Sequence, residues 1–364
     1  MSKSPRLPTQ KEIARLAGVS QVTVNAVLNG SNHTRTRPET RELILSIARQ
    51  LNYKIQRHAR AIRTGKSGAI ALITSSNVAE TSYRRLNLAS LAIRDAGYFS
   101  EIYDLSWTRG NFEELWAEML QSRPEGILLV GGVALITPQV KECILKTELP
   151  IVSIGGPHIE EIPLIIPDYR EGFCRITRLL METGCRRLRL IMRDVSSYQK
   201  AYHWQDERRL GFLEAVKGTD VSAKVVDLAV RRPEGREQMH LIFTDPRHSD
   251  HYSYSYDYAR EELARDGLAD DGWVFFNDSW AQGALRALGE AGVAVPETLS
   301  VTGSDGELSG RYGYLPLTTL VQPIRESVNA GVELLLSMIR NREYRKNLVQ
   351  RIPCDIHLGA TTRR

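Results

Sequence analysis

Carboxylates end several apolar runs in the second part of the chain, where they are placed to bind a small polar molecule. The runs PLIIPD, LIFTD, VFFND and SVTGSD end in Asp168, Asp245, Asp278 and Asp305. An aspartate at such a position can accept two hydrogen bonds from vicinal hydroxyls, and ligands of open α/β sheets bind beyond the carboxyl ends of the strands. The sequence therefore predicts a cleft for a small polyol. Further polar side chains fit this cleft, namely Ser75 and Ser76 after the first apolar run and Arg208 before Gly211-Phe212 on a predicted helix.

Each aspartate taken alone has a second interpretation, as the N-cap of the helix that follows its strand. Asp245 and Asp305 stay closest to that interpretation. Nothing fixes the mutual geometry of the carboxylates, so we predict no metal site. A sugar-acting enzyme that uses two of these carboxylates and an exported sugar-binding protein remain alternatives. The sequence shows no Ser/His or Cys/His arrangement, phosphate-cradling glycine loop or metal-ligand spacing, so we expect no catalytic residue, no cofactor and no enzyme.

The stretch RHSDHYSYSYDY, residues 247–258, has a pattern of its own. Its tyrosines stand at every second position from 252 to 258, which is the period of a strand. We predict an edge strand or a surface loop here, with an aromatic platform for sugar rings as the alternative. His248, Asp250 and His251 offer metal-ligating side chains, but a metal site is the weaker interpretation of this segment.

The overall composition excludes several classes of protein. The chain has 364 residues, of which 42% are hydrophobic and 25% charged, as in ordinary globular proteins of two or three domains. Apolar runs such as 127–133 fall short of the roughly 18 residues that a membrane span needs. The N-terminus has no apolar segment typical of a secretory signal. The four cysteines lie far apart, without a CxxC pair, which fits a reducing compartment, so we expect a cytoplasmic protein without membrane contact.

Charge divides the chain into a basic head and an acidic body. Residues 1–67 carry 13 Lys/Arg and 3 Asp/Glu, whereas residues 68–364 carry 35 Lys/Arg and 40 Asp/Glu. A small cationic segment joined to a larger acidic one is the electrostatic pattern of a polyanion-binding module with a second domain. A solvated basic tail is the alternative.

Apolar spacing in the head predicts three short helices. Thr9 and Glu12 form a capping box, Gly18 ends the first helix, and Ser20 is a good N-cap for the second. Two short helices around a tight glycine turn, with a third as a brace that starts near Pro38, predict a helix-turn-helix, although any small three-helix bundle shares this spacing. The predicted inward side chains are Ile13, Leu16, Ala17, Val24, Val27, Leu28, Leu43, Ile44, Ile47, Ala48 and Leu51, whereas Val22, Asn25, Ala26 and Asn29 are predicted to point outward, with Gln21 at the tip of the second helix.

The segment QRHARAIRTGKS, residues 56–67, holds five basic residues and no acid. Repulsion among its cations opposes a helix in isolation, and helices this short are marginal in water. The composition alone fits a flexible linker. The same charges become favourable on phosphate, and Ala59 and Ile62 share one helical face.

From Gly68 onward, short apolar runs alternate with amphipathic stretches. This βαβ rhythm predicts parallel sheets with helices on both faces. About 297 residues are enough for two such lobes.

Three segments of the head closely resemble the headpiece and hinge of the lactose-repressor (LacI) family: EIARLAGVSQVTVNAVLNG, TRELILSIARQLNY and ARAIRTGKSG. The body is similar to the family's effector domain through GCRRLRLI, RRLGFLEAV, FFNDSWAQGALRALGEAGVAVPETLSVTGSD and LPLTTLVQPI. The resemblance implies an N-terminal all-α helix-turn-helix headpiece plus an α/β periplasmic-binding-protein-like core of two doubly wound lobes. It places the headpiece at 1–55, a hinge at 56–67 and the effector and dimerisation domain at 68–364. We expect an N-lobe of about 68–167 and 296–323, and a C-lobe of about 168–295 and 324–364.

The resemblance also implies a function, that of a transcriptional repressor. Such a protein binds a palindromic operator in double-stranded DNA as a homodimer, under the control of a sugar-like small molecule. The implied DNA-binding residues are Gln21 and Val22 at base edges, Ser20, Thr23, Asn25 and Asn29 at phosphates or neighbouring bases, Thr9 and Lys11 at the backbone, and Tyr53 near the hinge. In the hinge, Ala59 lies beside Ile62, which takes the place of the apolar minor-groove wedge. The implied effector-binding residues are Ser75, Asp168, Arg208 and Asp278.

The chain departs from the family pattern at several places, two of which affect the predicted binding sites. The family often has Ser-Arg where this chain has Asn25-Ala26, so one bidentate contact to guanine should be missing. The family's Gly-aromatic-Asp-Asp turn is Gly303-Ser-Asp-Gly306 here, which alters the expected floor of the cleft.

Overall fold

The computed structural model describes residues 8–28, 36–53, 67–74, 80–105, 111–131, 138–194, 203–228, 251–265, 268–343 and 345–364. The chain divides into two compact units, Met1–Ser67 and Gly68–Arg364. In the part of the chain that the structure describes, no helix combines the length and apolarity of a membrane span.

Unit 1 is built from three helices around a small apolar core. Ile13, Val24 and Ile44, one from each helix, are fully buried together. Gly18 takes the left-handed conformation with φ of 67°, and the N–H of Val19 then reaches the carbonyl of Ala14. This closes the first helix and turns the chain into the second, as the sequence predicts. The helices are α1 (Gln10–Ala17), α2 (Gln21–Leu28) and α3 (Pro38–Gln50).

Three of the predicted orientations in unit 1 are wrong. Leu16 and Leu43 are 47% and 46% exposed, although their spacing predicts the core. An eight-residue helix buries only a narrow stripe, and Ile13 and Ala14 fill it in α1. Ala26 is buried rather than outward, because its one-carbon side chain does not extend beyond the surface around it.

The first lobe of unit 2 is a parallel sheet of six strands in the order β11-β5-β4-β3-β1-β2. All six residues of β1 are buried, as expected for a strand covered by helices on both faces. The strands are β1 (Ala69–Thr74), β2 (Phe99–Asp104), β3 (Gly126–Val130), β4 (Ile151–Ile154), β5 (Leu164–Pro167) and β11 (Val349–Ile352), and the helices of this lobe are α4 (Glu80–Asp95), α5 (Phe112–Gln121), α6 (Pro138–Lys146) and α12 (Ile324–Asn341).

The second lobe repeats the plan with the order β12-β10-β9-β8-β6-β7, in which only β12 is antiparallel to its neighbour. Its large core is centred on the fully buried Phe173, Phe212, Trp273 and Trp280. The strands are β6 (Arg187–Arg193), β7 (Ser222–Leu228), β8 (Gly272–Phe275), β9 (Ser300–Asp305), β10 (Thr318–Val321) and β12 (Asp355–His357), and the helices are α7 (Tyr169–Glu182), α8 (His203–Val216), α9 (His251–Ala264), α10 (Asp278–Glu290) and α11 (Leu308–Arg311).

The expected division of the body between its lobes is wrong for residues 296–352. We predict 296–323 in the N-lobe and 324–364 in the C-lobe, but β9 and β10 extend the second sheet. Helix α12 packs on the first sheet, where Val328 and Leu335 join the core of Ile154. The segment 355–364 then returns to the second lobe. Strands of both lobes are equally apolar and parallel, so their composition does not decide which sheet they join.

The described part of the tyrosine-rich stretch, residues 251–258, begins helix α9 and is neither an edge strand nor a loop. Tyr254 and Tyr258 lie one turn apart. Tyr254 stacks on Trp280 with ring centroids 6.3 Å apart, and Tyr258 packs at a tilt against Trp273 with centroids 5.9 Å apart. Packing of this face on the second lobe overrides the period-2 pattern. His248 and Asp250 lie outside the described residues, and among those described no cluster of His, Cys, Asp and Glu fits a metal ion.

Close packing of α9 on α10 generates a prediction about two glycines of α10. A Cβ added at Gly283 would lie 2.1 Å from the carbonyl oxygen of Tyr252, whereas one added at Gly289 would meet nothing within 4 Å. We expect Gly283→Ala to lower the free energy of unfolding of unit 2 by about 1–3 kcal/mol through overpacking. Gly289→Ala should leave it unchanged or raise it by up to about 1 kcal/mol.

Urea unfolding followed by tryptophan fluorescence measures this difference, because all five tryptophans lie in residues 68–364. Equal stability of the two variants would contradict the close α9–α10 contact.

Candidate functional sites

The first candidate site is the exposed side of α2. The hydroxyl of Ser20 accepts a hydrogen bond from the N–H of Thr23 at 3.1 Å, which fixes the start of the helix. Gln21 and Val22 follow directly and are exposed, Val22 by 70%. Helix α2 carries no charged residue. Its exposed side therefore offers an amide, hydroxyls and a bare apolar group at a helix N-terminus, and Asn25 is half-buried beside them.

The other predicted DNA-binding residues of the head surround this side or lie outside the described residues. Thr9 is the N-cap of α1, where its hydroxyl accepts from the N–H of Glu12 at 3.3 Å, and Lys11 is exposed in the first turn. Tyr53 is half-buried against the core of the head, and its N–H reaches the carbonyl of Ala48 at 2.8 Å. The residues outside the described part of the chain are Asn29, Ala59 and Ile62.

The second candidate site lies where the two lobes of unit 2 meet. Arg208 on α8 is buried, with its guanidinium carbon 3.7 Å from the ring centroid of Tyr169 and a terminal nitrogen 3.7 Å from Oδ1 of Asp305. Asp305 also accepts a hydrogen bond from the side-chain amide of Gln322. The amide oxygen of Gln322 in turn accepts one from Arg85 on α4 of the first lobe. These contacts cross from one lobe to the other through the segment that joins β10 to α12.

Two further polar contacts connect the lobes. The N–H of Leu308 donates to Glu80 at 3.3 Å, which brings α11 of the second lobe to the start of α4 in the first. Arg351 of β11 pairs with Glu207 of α8 at 3.2 Å. The lobe boundary is thus polar, as a binding cleft for a polar molecule requires.

Asp278 belongs to the same region but is completely buried. Its carboxylate accepts from the N–H of Glu307 at 2.7 Å and from the hydroxyl of Thr319 at 2.5 Å. The N-cap of α10 is Asn277, one residue earlier. Burial raises the pKa of Asp278 well above its usual value, and the charge of Asp305 raises it further. Asp278 therefore holds the β9–α11 turn against β10.

Two other acids of the region also have raised pKa values. Burial raises the pKa of Asp305 to about 6, against the opposing effect of Arg208 and Arg85. Burial and the charge of Asp305 raise the pKa of Glu307 to about 7. Asp305 has a φ of 131°, a conformation that residues other than glycine rarely adopt and that stores strain. Strained backbone and perturbed acids at a lobe boundary are features of functional sites.

The structure brings only part of the predicted effector site together. Arg208 and Asp278 both neighbour Asp305, for which the sequence pattern favours the role of a helix N-cap. Asp168 is half-buried and caps α7, with its carboxylate 3.1 Å from the N–H of Glu171. Ser75 and Asp245 lie outside the described residues.

Sequence reasoning missed several side chains of this site. Gln322 stands in the recognisable segment LVQPI, and Tyr169 directly follows Asp168, so both had a local signal. No local signal marked Arg85 or Glu307, because each joins the site through contacts with residues that are distant in the sequence, Arg85 with Gln322 and Glu307 with Asp278.

The raised pKa of Glu307 predicts a pH-dependent stability of unit 2. A carboxyl whose pKa is higher in the folded state contributes stability fully below its unfolded pKa, near 4.5, and loses it as the pH rises through about 7. We expect the free energy of unfolding to fall between pH 5 and pH 8. Glu307→Gln should remove part of this fall, up to about 3 kcal/mol.

Urea titrations at the two pH values measure this change. Glu297→Gln, which removes an exposed glutamate of the same lobe, is the matched control and should keep the wild-type difference. A Glu307→Gln protein with the full wild-type pH dependence would contradict the prediction.

Comparisons with known proteins match both units. Residues 9–56 match the family described as bacterial regulatory proteins, lacI family, and residues 177–362 match the periplasmic binding protein-like domain. The repressor PurR of Pasteurella multocida is 26% identical over 95% of this chain and 96% of its own. An uncharacterised HTH-type transcriptional regulator of Streptomyces limosus is 28% identical over 93% of this chain and 90% of its own.

A solved structure shares the fold over nearly the whole length. The lac repressor dimer bound to operator and an anti-inducer superposes with a TM-score of 0.74 at 20% identity, and the match covers 98% of this chain and 99% of that one. The fold class predicted from the sequence is confirmed. The chain thus joins a helix-turn-helix domain of the lacI family, in its first unit, to a domain of the periplasmic binding protein-like family, in its second.

Proposed function

We propose that this DNA-binding transcriptional regulator represses transcription from a palindromic operator, which it binds as a homodimer through unit 1, and that a small molecule between the lobes of unit 2 controls the binding. The exposed, uncharged side of α2 within a strongly cationic head is the observation that carries the proposal. A helix-turn-helix places the N-terminus of its second helix against base edges, and paired half-sites enlarge the otherwise small interface.

Within unit 1, the contacts divide by chemistry. The amide of Gln21 and the side chain of Val22 face base edges at the exposed N-terminus of α2. Phosphates or neighbouring bases accept hydrogen bonds from the surrounding polar groups, which position the helix. These supporting residues are Ser20, Thr23, Asn25 and Asn29 on or next to α2, Thr9 and Lys11 at the start of α1, and Tyr53 before the hinge.

In unit 2, Arg208 and Asp305 are the groups best placed to contact the effector. Tyr169 offers a flat apolar face beneath the Arg208 guanidinium, and the Asp305 carboxylate accepts hydrogen bonds at the lobe boundary. Asp278 acts indirectly. Its carboxylate positions the site by accepting hydrogen bonds from the N–H of Glu307 and the hydroxyl of Thr319. Ser75 and Asp168, at the ends of β1 and β5, complete the proposed site. A sugar or sugar derivative suits this set of donors and acceptors.

The lac repressor of the comparison is bound to an operator and to an anti-inducer as a dimer, which supports the same combination here. Coupling between effector and operator is typically about 1–3 kcal/mol, or five- to 150-fold in affinity. We propose that the protein acts on DNA in the bacterial cytoplasm and does not turn its effector over. Consumption of a bound sugar by the purified protein would favour the enzyme alternative instead.

Selection of duplexes from a random pool, followed by gel-shift titration, tests the proposal. We expect a palindromic sequence and a steep, linear fall of log affinity with log salt, because each neutralised phosphate contributes a slope of about −0.9. A thermal-shift screen of sugars on the full chain then identifies the effector. Selection without any palindrome, or an affinity indifferent to salt, would refute the proposal.

The hinge provides a further prediction. Ile62 is the apolar residue of a cationic segment that we propose folds on the operator and wedges into the minor groove. We expect Ile62→Ala to lower operator affinity at least tenfold while the thermal shift with effector stays as in the wild type. Ile62→Leu, which restores a large apolar group, should recover most of the affinity in gel-shift titrations. Equal operator binding by the alanine variant would show that residues 56–67 are only a linker.

A further inference from the structure

Val22 is an exposed apolar residue without a structural role in unit 1. It is 70% exposed, whereas Val24 and Val27 of the same helix are buried in the core of the head. A β-branched residue favours helix less than alanine or glutamine does, and an exposed one buries no surface in return. Stability of the head therefore does not explain a valine at this position, and its use must lie in what binds there.

The place of Val22 on α2 restricts what that contact can be. The Ser20 cap makes Gln21 and Val22 the first two residues of the helix. The cations of the described head, such as Lys11 and Arg15, lie on other helices. Attraction to the DNA phosphates therefore comes from parts of the head other than α2. The N-terminal end of α2 presents an uncharged surface in which Val22 is the large apolar group.

The major groove presents a single apolar group, the C5 methyl of thymine, whereas the other base edges there are hydrogen-bond donors and acceptors. A valine in contact with those polar edges would desolvate them without a partner. We infer that Val22 selects a thymine at one position of each operator half-site by packing on its 5-methyl group. This inference rests on the proposed function, and it adds the identity of a base to it.

The expected size of the effect follows from the area of one methyl group. Removing that methyl should weaken binding about fourfold for one half-site and roughly 15-fold when both half-sites are changed. Uracil is thymine without the 5-methyl group and pairs in the same way. Cytosine also lacks the methyl, and 5-methylcytosine carries it at the same place in the groove. The methyl can therefore be removed or added without a change in the pattern of Watson–Crick pairing.

The test uses the full chain and its selected operator. Each thymine of the half-site is replaced in turn by uracil, symmetrically in both half-sites, and affinities are measured by gel shift at fixed salt. We expect one thymine position at which uracil weakens binding roughly 15-fold. A cytosine at that position should bind weakly, and 5-methylcytosine should recover part of the loss.

Variants assign the effect to the side chain. In Val22→Ser the penalty for uracil at that position should disappear, because the apolar contact is already lost. Leu43→Ser is the matched control: Leu43 is an exposed apolar residue of α3, so this variant should keep the full uracil penalty. Urea unfolding of both variants checks that the head remains folded, and Val22→Ala, with one methyl, should show a reduced but measurable penalty.

Two outcomes separate this inference from the proposed function. If the protein binds a palindrome but no thymine shows the penalty, or if the penalty persists unchanged in Val22→Ser, the role of Val22 is wrong and the regulator assignment stands. If no palindrome is selected at all, the proposed function fails and this inference fails with it.

Discussion

The buried carboxylate of Asp305 is the centre of a network of polar contacts that joins the two lobes. It pairs with Arg208 of its own lobe and, through the amide of Gln322, connects to Arg85 of the other. Removing one partner of a buried charged pair typically costs about 3–5 kcal/mol. The polar contacts between the lobes are therefore sensitive to any molecule that displaces one of these partners without pairing the charge that is left behind.

The surroundings of Asp305 explain why this point is sensitive. Its backbone is strained, and Asp278 and Glu307 lie behind it with raised pKa values that reflect desolvation and mutual repulsion. Gly303, next to Asp278, has no space for a Cβ. A turn under such constraint has few ways to relax, so we expect a change at the cleft to affect β10 and the crossing segment that follows it.

The head divides its tasks between helices. In the function that we propose, the cationic side chains of the head outside α2 supply attraction to phosphate, which carries no sequence information. Helix α2 carries no charge and begins at a capped N-terminus, so its first residues can approach base edges. Specificity is thereby assigned to a few uncharged side chains, and a change in one of them alters the operator without removing general affinity for DNA.

The sequence alone determined the features that depend on neighbouring residues: the glycine turn after α1, the Ser20 cap, the alternation of strands and helices, and the charge division at residue 67. Local spacing also identified Arg208 and Asp278. Tertiary structure decided which sheet β9 and β10 join, on which sheet α12 packs, that residues 251–258 are helical, and that Gln322 connects Arg85 to Asp305. Several of these outcomes depend on packing between segments that are more than 100 residues apart in the sequence, as for Arg85 and Gln322. Neither the propensity of a residue nor the periodicity of a segment carries information about such distant partners.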